Sequence, residues 1–178
     1  MGGNRLLSKE HKARAIRHLK FKVVVVSSSR YHKLSKGEQV QDESGKLAKE
    51  LIKKYGYELT EKVIIPDDPK LIEEAIRSGL DKVDVVILIG GTGVGLKDYT
   101  YEVVKKLVEK ELVGFGEIFR FLSYREIGSA AIISRACAGI INGKIVACIP
   151  GSKAAVKLAL EKLLLPEAGH ILLHARKG

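Results

Sequence analysis

The chain has 178 residues, 46% of them apolar, which is enough for one domain that buries roughly 70% of its unfolded surface and too little for two. Lys plus Arg number 31 against 21 Asp plus Glu, a net charge of +10, and the 18 glycines follow no period, which excludes a fibrous or collagen-like chain. No run approaches the roughly 20 apolar residues of a membrane-spanning helix.

Residues 1–36 carry ten basic side chains against Glu10 alone, a net of +9, while the rest of the chain holds 21 basic and 20 acidic groups. The chain is read as a basic N-terminal arm, 1–19, and a single domain, 20–178, whose charge is nearly balanced beyond residue 36. A basic arm can touch nucleic acid, but no aromatic or glycine-rich basic groove accompanies this one, so a solvated terminus is the plainer reading. Phe21 to Ser28 is a β-branched run ending in small polar residues, as a buried parallel strand does, and a hydrophilic loop follows. Asp42 opens an amphipathic helix in which Leu47, Leu51 and Tyr55 recur every four residues, stopped at Gly56. Tyr57 to Asp68 reads as a strand cut at Pro66; Leu71 to Gly79 reads as a helix with Gly79 as its C-cap. Val83 to Gly90 is the central strand, nearly all Val, Ile and Leu.

Tyr101 to Leu112 forms a helix through Val104, Val108 and Leu112, and the Ser123/Glu126 pair predicts another helix starting at Ser123. Asn142-Gly143 between apolar flanks is the strongest hairpin signal and sets Cys137 opposite Cys148, although the segment before Cys137 could still be helical there. Gly151 to Leu165 is a last helix, ended by Pro166, with an apolar face free for another subunit. Strands alternating with helices of this length predict a three-layer α/β/α sandwich around a mostly parallel sheet, with one β-hairpin. Val23 to Val26 is too short for a signal-peptide core. Cys137 and Cys148 make neither a CxxC nor a metal cluster, so free thiols in a cytoplasmic setting are expected.

The segment Gly90 to Thr100, GGTGVGLKDYT, lies between a buried strand and a helix, where open parallel sheets place ligands. Glycines there let backbone N–H groups approach an anion, or simply make a tight turn. It is neither a GxGxxG fingerprint nor a Walker loop, since Leu96 stands where the Lys belongs. If their two strands are neighbours in a parallel sheet, Asp67 and Asp98 both sit at the carboxyl edge, where they could hold Mg²⁺ against phosphates or serve as turn and cap residues. Asp42 has the same double reading, with Ser44 and Gly45 unusual choices for a first helical turn. Ser134-Arg135 and Gly151-Ser152 could each meet an anion, or an ion pair and a plain N-cap respectively. The five histidines lie outside these loops, which disfavours a Ser-His-acid triad.

Taken together and in order, DESG (Asp42 to Gly45), PDD (Pro66 to Asp68), GGTGVGLKDYT, GFGEIFRFLSYREIG (Gly114 to Gly128), SRACAG (Ser134 to Gly139) and IPGS (Ile149 to Ser152) resemble the MoaB/MogA family of molybdenum cofactor biosynthesis. The resemblance spans roughly Phe21 to His170 and implies an α/β/α sandwich assembling as a homotrimer or homohexamer. It implies adenylylation of molybdopterin by Mg-ATP with release of pyrophosphate, or pterin binding without that step, with possible transfer to a metal-insertion protein. The paired acids of the family fall on Asp67 and Asp98, its phosphate loop on Gly90, Gly91, Thr92 and Gly93 with Lys97 and Thr100, and its acid-Ser-Gly element on Asp42, Ser44 and Gly45. The pterin side falls on Ser134, Arg135, Gly151 and Ser152. The family's usual T-P-R-D-V-T-P run is here Gly95-Leu96-Lys97-Asp98-Tyr99-Thr100-Tyr101: Lys97 keeps a charge but not the bidentate fork of Arg, and both prolines are gone. Molybdenum and tungsten pathways are not distinguished.

Overall fold

A computed structural model describes residues 16–177. Six strands form one sheet: β1 (Lys20–Val26), β2 (Glu58–Ile65), β3 (Val85–Ile89), β4 (Lys110–Glu111), β5 (Cys137–Ile141) and β6 (Lys144–Ile149). They lie in the order β2-β1-β3-β6-β5-β4, parallel from β2 to β6 and antiparallel in the last two pairings. The helices are α1 (Ser28–Ser35), α2 (Glu43–Lys54), α3 (Pro69–Leu80), α4 (Thr100–Leu107), α5 (Val113–Ile127), α6 (Lys153–Lys157) and α7 (Leu165–Ala175). Because side chains alternate along a strand, β1 sends Phe21, Val23 and Val25 to one face with α2, α5, α6 and α7, and Val24 and Val26 to the other with α3 and α4. The result is the α/β/α sandwich that the alternation of periods predicts.

The folded body reaches back to Ile16, whose N–H donates to Gly169 O, and Leu19 is buried. Most of the basic arm lies outside the described residues. No helix among the described residues is long and apolar enough to cross a membrane. The hairpin forms as read: Asn142 and Gly143 take φ of 49° and 69°, and Cys137 pairs with Cys148, so the chain is already extended at Cys137.

Several elements depart from the periodicity reading. The loop after β1 contains α1, started by Ser27, whose Oγ accepts from the Arg30 N–H. Gly79 is not a C-cap; it lies within α3, where a Cβ would come within 2.9 Å of Lys22 Cδ and Val86 Cγ2, so it permits close helix–sheet approach. The helix expected to reach Leu112 ends at Leu107, because Lys110 and Glu111 pair with the edge of β5. Ser123 does not begin a helix: it is buried within α5, in a narrow stripe with Gly116 and Phe119 at spacings of three and four. Nor does Pro166 end the final helix. A π-helical stretch, Leu158–Leu164, joins α6 to α7; Leu165 N–H reaches Leu160 O five residues back, and Pro166 falls in a first turn, where its missing N–H costs little. Val156, Leu158, Ala159, Leu160 and Leu164 of this continuous helix are buried in the core, so this face is not free for another subunit.

Candidate functional site

In a parallel sheet every βα loop leaves at the carboxyl edge, and the antiparallel β5 begins beside the end of β6. The residues singled out above therefore share one edge. Asp67 follows β2 and Gly90 to Thr100 follow β3, which are not neighbours, since β1 lies between them; Gly151 and Ser152 follow β6, Ser134 and Arg135 precede β5, and Asp42 to Gly45 open α2 on the same rim.

The centre is Gly91. It adopts φ of +62°, and its carbonyl accepts from Thr100 N–H at 2.8 Å, docking the start of α4 on the loop. A Cβ here would lie 2.2 Å from Asp67 Oδ1 and 2.3 Å from Thr100 Oγ1. Two oxygens thus face one point across a bare glycine, and both are buried without a hydrogen-bond partner. Unsatisfied buried oxygens cost free energy and are uncommon outside functional sites. Burial pushes the Asp67 carboxyl above its ordinary range against the Ser28 backbone N–H and hydroxyl, which lower it, and the charge of Asp98 adds to the rise. The Ser28 hydroxyl also accepts from Asp67 N–H at 2.9 Å.

Asp98 is not a helix cap. The N-cap of α4 is Tyr99, without a side-chain bond, and Asp98 turns back so that Oδ2 accepts from Gly95 N–H at 3.0 Å. A Cβ at Gly93 or Gly95 would stand 2.6 or 2.8 Å from that oxygen, so the glycines admit the carboxylate into the loop. Lys97 is exposed at the loop's outer side, beside Leu96. Thr92 is buried and its carbonyl accepts from Arg135 Nε at 2.9 Å.

At the rim, Asp42 caps α2 by accepting from Gly45 N–H at 2.9 Å and pairs with Lys62 Nζ at 2.5 Å. Gly45 is explained by the same contact, since a Cβ would stand 2.1 Å from Asp42 Oδ2. The buried Ser44 donates its hydroxyl to Gly151 O at 2.6 Å, and Gly151 lies against Gly90, which has φ of +99°. Ser44 therefore links the start of α2, the β6–α6 turn and the loop after β3. Ser152 caps α6, accepting from Ala155 N–H at 3.1 Å. Beside it is a cavity of about 100 Å³ lined by Phe119, Ser123, Glu126, Ser134, Pro150 and Ser152 among others. Arg135 also reaches Gly93 O and the Glu102 carboxylate and stacks on Tyr101, so its guanidinium is spent inside the chain.

The sequence assigns no site role to Ser28, Glu102 or Tyr101, and it presents Ser123 and Glu126 as a helix start. Ser28 reads only as the small polar end of the β1 run. Among the described residues no three His, Cys, Asp or Glu side chains gather into a self-sufficient metal site.

Residues 22–170 match a family model described as "Probable molybdopterin binding domain". The chain is 46% identical over 165 residues to the Molybdenum cofactor biosynthesis protein B of Bacillus cereus, covering 91% of this chain and 94% of that one. It is also 46% identical over 167 residues to the "Probable molybdopterin adenylyltransferase" of Methanocaldococcus jannaschii, covering 92% and 98%. The crystal structure of the tungsten cofactor synthesizing protein MoaB from Pyrococcus furiosus is similar at a TM-score of 0.80 and 42% identity, covering 92% of this chain and all of that one. With the fold, the order of the motifs and these relatives in agreement, the chain belongs to the MoaB/MogA family of molybdopterin-binding proteins in molybdenum and tungsten cofactor biosynthesis.

Proposed function

We propose that this chain binds molybdopterin along the carboxyl edge of its sheet and adenylylates it with Mg-ATP. The observation that carries the chemistry is the pair of partnerless buried oxygens, Asp67 Oδ1 and Thr100 Oγ1, facing Gly91 with the Asp98 carboxylate nearby. Buried oxygens left without a partner cost free energy, which a bound ligand, ion or water at this point would relieve. The donors are hard oxygens, which suits Mg²⁺: that ion uses one or two carboxylates, keeps several waters and shares substrate phosphates. Asp67 and Asp98 would hold it, and it would supply neutralisation of charge on the nucleotide phosphates.

In the transfer, a terminal phosphate oxygen of molybdopterin forms a bond to the α-phosphorus of ATP, the α–β phosphoanhydride bond breaks, and pyrophosphate leaves. No protein nucleophile is required, so the chain's task is alignment and electrostatics. Gly90 to Gly93 allow close backbone approach to the nucleotide phosphates, with Lys97 adding charge from outside. The cavity lined by Ser134, Pro150 and Ser152 lies on the pterin side.

A second reading is pterin binding in the same pathway without adenylylation. Two observations favour it: the Bacillus cereus relative carries the name protein B and not adenylyltransferase, and the stretch from Gly95 to Tyr101 lacks the family's usual Arg and prolines. Supplying molybdopterin, ATP and Mg²⁺ to the purified chain and following pyrophosphate separates the two. Release that needs the pterin supports adenylylation; saturable pterin binding with no pyrophosphate supports the second reading.

We also propose a trimeric or hexameric assembly through the exposed apolar surface of α5 and the turn after it. A metal-insertion protein acting on the product would be the next partner in the sequence of reactions.

A further inference from the structure

We infer that Arg135 is a positioning residue: with Glu102 and Tyr101 it fixes the orientation of the loop after β3, so that backbone N–H groups, and not the guanidinium, meet the substrate phosphates. The inference deepens the reading above and rests on it for the identity of the ligand. Arg135 Nε donates to Thr92 O at 2.9 Å, Nη2 to Gly93 O, and Nη1 and Nη2 to the two Glu102 oxygens, the latter at 3.3 Å. Four of the five N–H donors of a guanidinium are thereby engaged, its carbon stands 4.9 Å from the Tyr101 ring centre, and the side chain is only 25% exposed.

Within a trans peptide the C=O and N–H point in opposite directions. Drawing the Thr92 and Gly93 carbonyls toward Arg135 therefore turns the N–H groups of Gly93 and Val94 away from it. Among the described residues neither N–H donates to another group of the chain, while the next one, of Gly95, is taken by Asp98. Two successive outward N–H groups beside a carboxylate pair make an anion-binding concavity that a lone arginine would otherwise have to supply. The arginine belongs to the Ser134-Arg135 element whose serine lines the cavity on the pterin side, so one residue registers the two halves of the site.

The alternative, that Arg135 itself clamps a phosphate, predicts the opposite sign for one substitution. Glu102 neutralises Arg135 and its side chain is half exposed. If Arg135 clamps an anion, Glu102→Gln frees positive charge and lowers the KM for Mg-ATP; if Arg135 positions the loop, Glu102→Gln loosens it and raises that KM, by about threefold or more. Arg135→Lys keeps the charge but cannot hold two carbonyls and a carboxylate together, and is expected to raise the nucleotide KM by about tenfold. Hydrogen exchange reads the same point without turnover. Both variants should speed exchange of the hydrogen-bonded loop amides, those of Gly95, Asp98 and Thr100, by about tenfold while those of β3 are unchanged. Unchanged loop exchange, or tighter nucleotide binding in Glu102→Gln, overturns the inference. A parent protein that binds pterin but releases no pyrophosphate overturns adenylylation instead, and the exchange measurement still decides the role of Arg135. Should Arg135→Lys not fold, Glu102→Gln carries the test alone.

Discussion

Asn can replace Asp wherever only a hydrogen-bond acceptor is needed, so the Asp-to-Asn change tests whether charge is what a site uses. Asp98→Asn retains an oxygen for the Gly95 N–H and should melt within a few degrees of the parent. Pyrophosphate release should fall on the order of 100-fold or more, with pterin binding retained; an active Asp98→Asn protein would return the assignment to Asp67. For Asp67 the stability change has a defined sign. Its carboxyl is raised by burial and by Asp98, so the folded state holds the proton more tightly than the unfolded chain, and ionisation costs stability as pH rises above the ordinary carboxyl value of 3.8. Asp67→Asn should therefore keep or raise the Tm at pH 7, by up to about 3 °C, while turnover is lost. The difference should vanish near pH 3, where the carboxyl is protonated in both states. A Tm that drops at neutral pH would show Asp67 to be structural. Cys137 and Cys148 need a separate test: their thiols share a hydrogen bond at 3.3 Å without a disulfide, and burial followed by the neighbouring thiol pushes Cys148 well up. Thiolate, the reactive form, is thus scarce. Thiol titration should find neither group in the native protein and both after unfolding without reductant; a count of zero after unfolding would reveal a disulfide.

At the scale of elements, what was legible depended on whether the signal was local. β1, β3 and β6 are buried on both faces and show as nearly continuous apolar runs; α2 and α3 bury one stripe and show as a period near four. The hairpin was legible because Asn142-Gly143 suits the positive φ that a two-residue turn requires. α5 was hidden because apolar residues surround it almost completely, and β4 because two charged residues, Lys110 and Glu111, form an edge strand only by pairing with β5. The site split in the same way. Acids and glycines after strands were visible, but not that Asp98 folds back on Gly95 or that Ser44 reaches a carbonyl more than a hundred residues away. A further non-local contact joins three elements. Asp84 accepts from the Lys20 N–H at 2.8 Å and pairs with Arg176 at 2.5 Å, tying the start of β1 and the end of α7 to the entry of β3. Burial alone would raise this carboxyl, but the Lys20 N–H and Arg176 outweigh it and hold it below its ordinary range. A lowered carboxyl adds stability above the unfolded value and loses it as pH falls through the folded one. Asp84→Asn should cost about 1–2 kcal/mol at pH 7, and little once acid has protonated the parent. Equal denaturation midpoints at pH 7 would show that this contact adds nothing.

Over the whole molecule, the largest unexplained feature is apolar surface. α5 buries Gly116, Phe119 and Ser123 and leaves Val113, Ile118, Phe121, Tyr124 and Ile127 exposed, followed by Ile132 and Ile133 in the 3₁₀ turn Gly128–Ile133. Phe121 is 62% exposed and Ile132 is 84% exposed. Isolated apolar residues on a surface need no explanation, but a run of this size along one helix and its following turn marks an interaction face. Another copy of the chain is the occupant that the family resemblance implies, and the neighbouring surface does not oppose it, since beyond residue 36 the chain carries 21 basic and 20 acidic groups. The same stretch lies beside the functional edge: Ser123 and Glu126 line the cavity that also contains Ser134 and Ser152, so a subunit seated on α5 would border that cavity. Light scattering at micromolar concentration should give a mass three or six times 19.5 kDa. The double variant Phe121→Glu, Ile132→Glu places two charges in the face without disturbing a buried group, so each chain should stay folded while the assembly dissociates to monomer. If the site is completed by the neighbouring subunit, pterin affinity should fall with assembly, by about tenfold or more, and both should change over the same concentration range when the parent is diluted. A parent that is monomeric at micromolar concentration would exclude this face as a self-association surface. A dissociated variant with undiminished pterin binding would confine the cavity's work to a single chain.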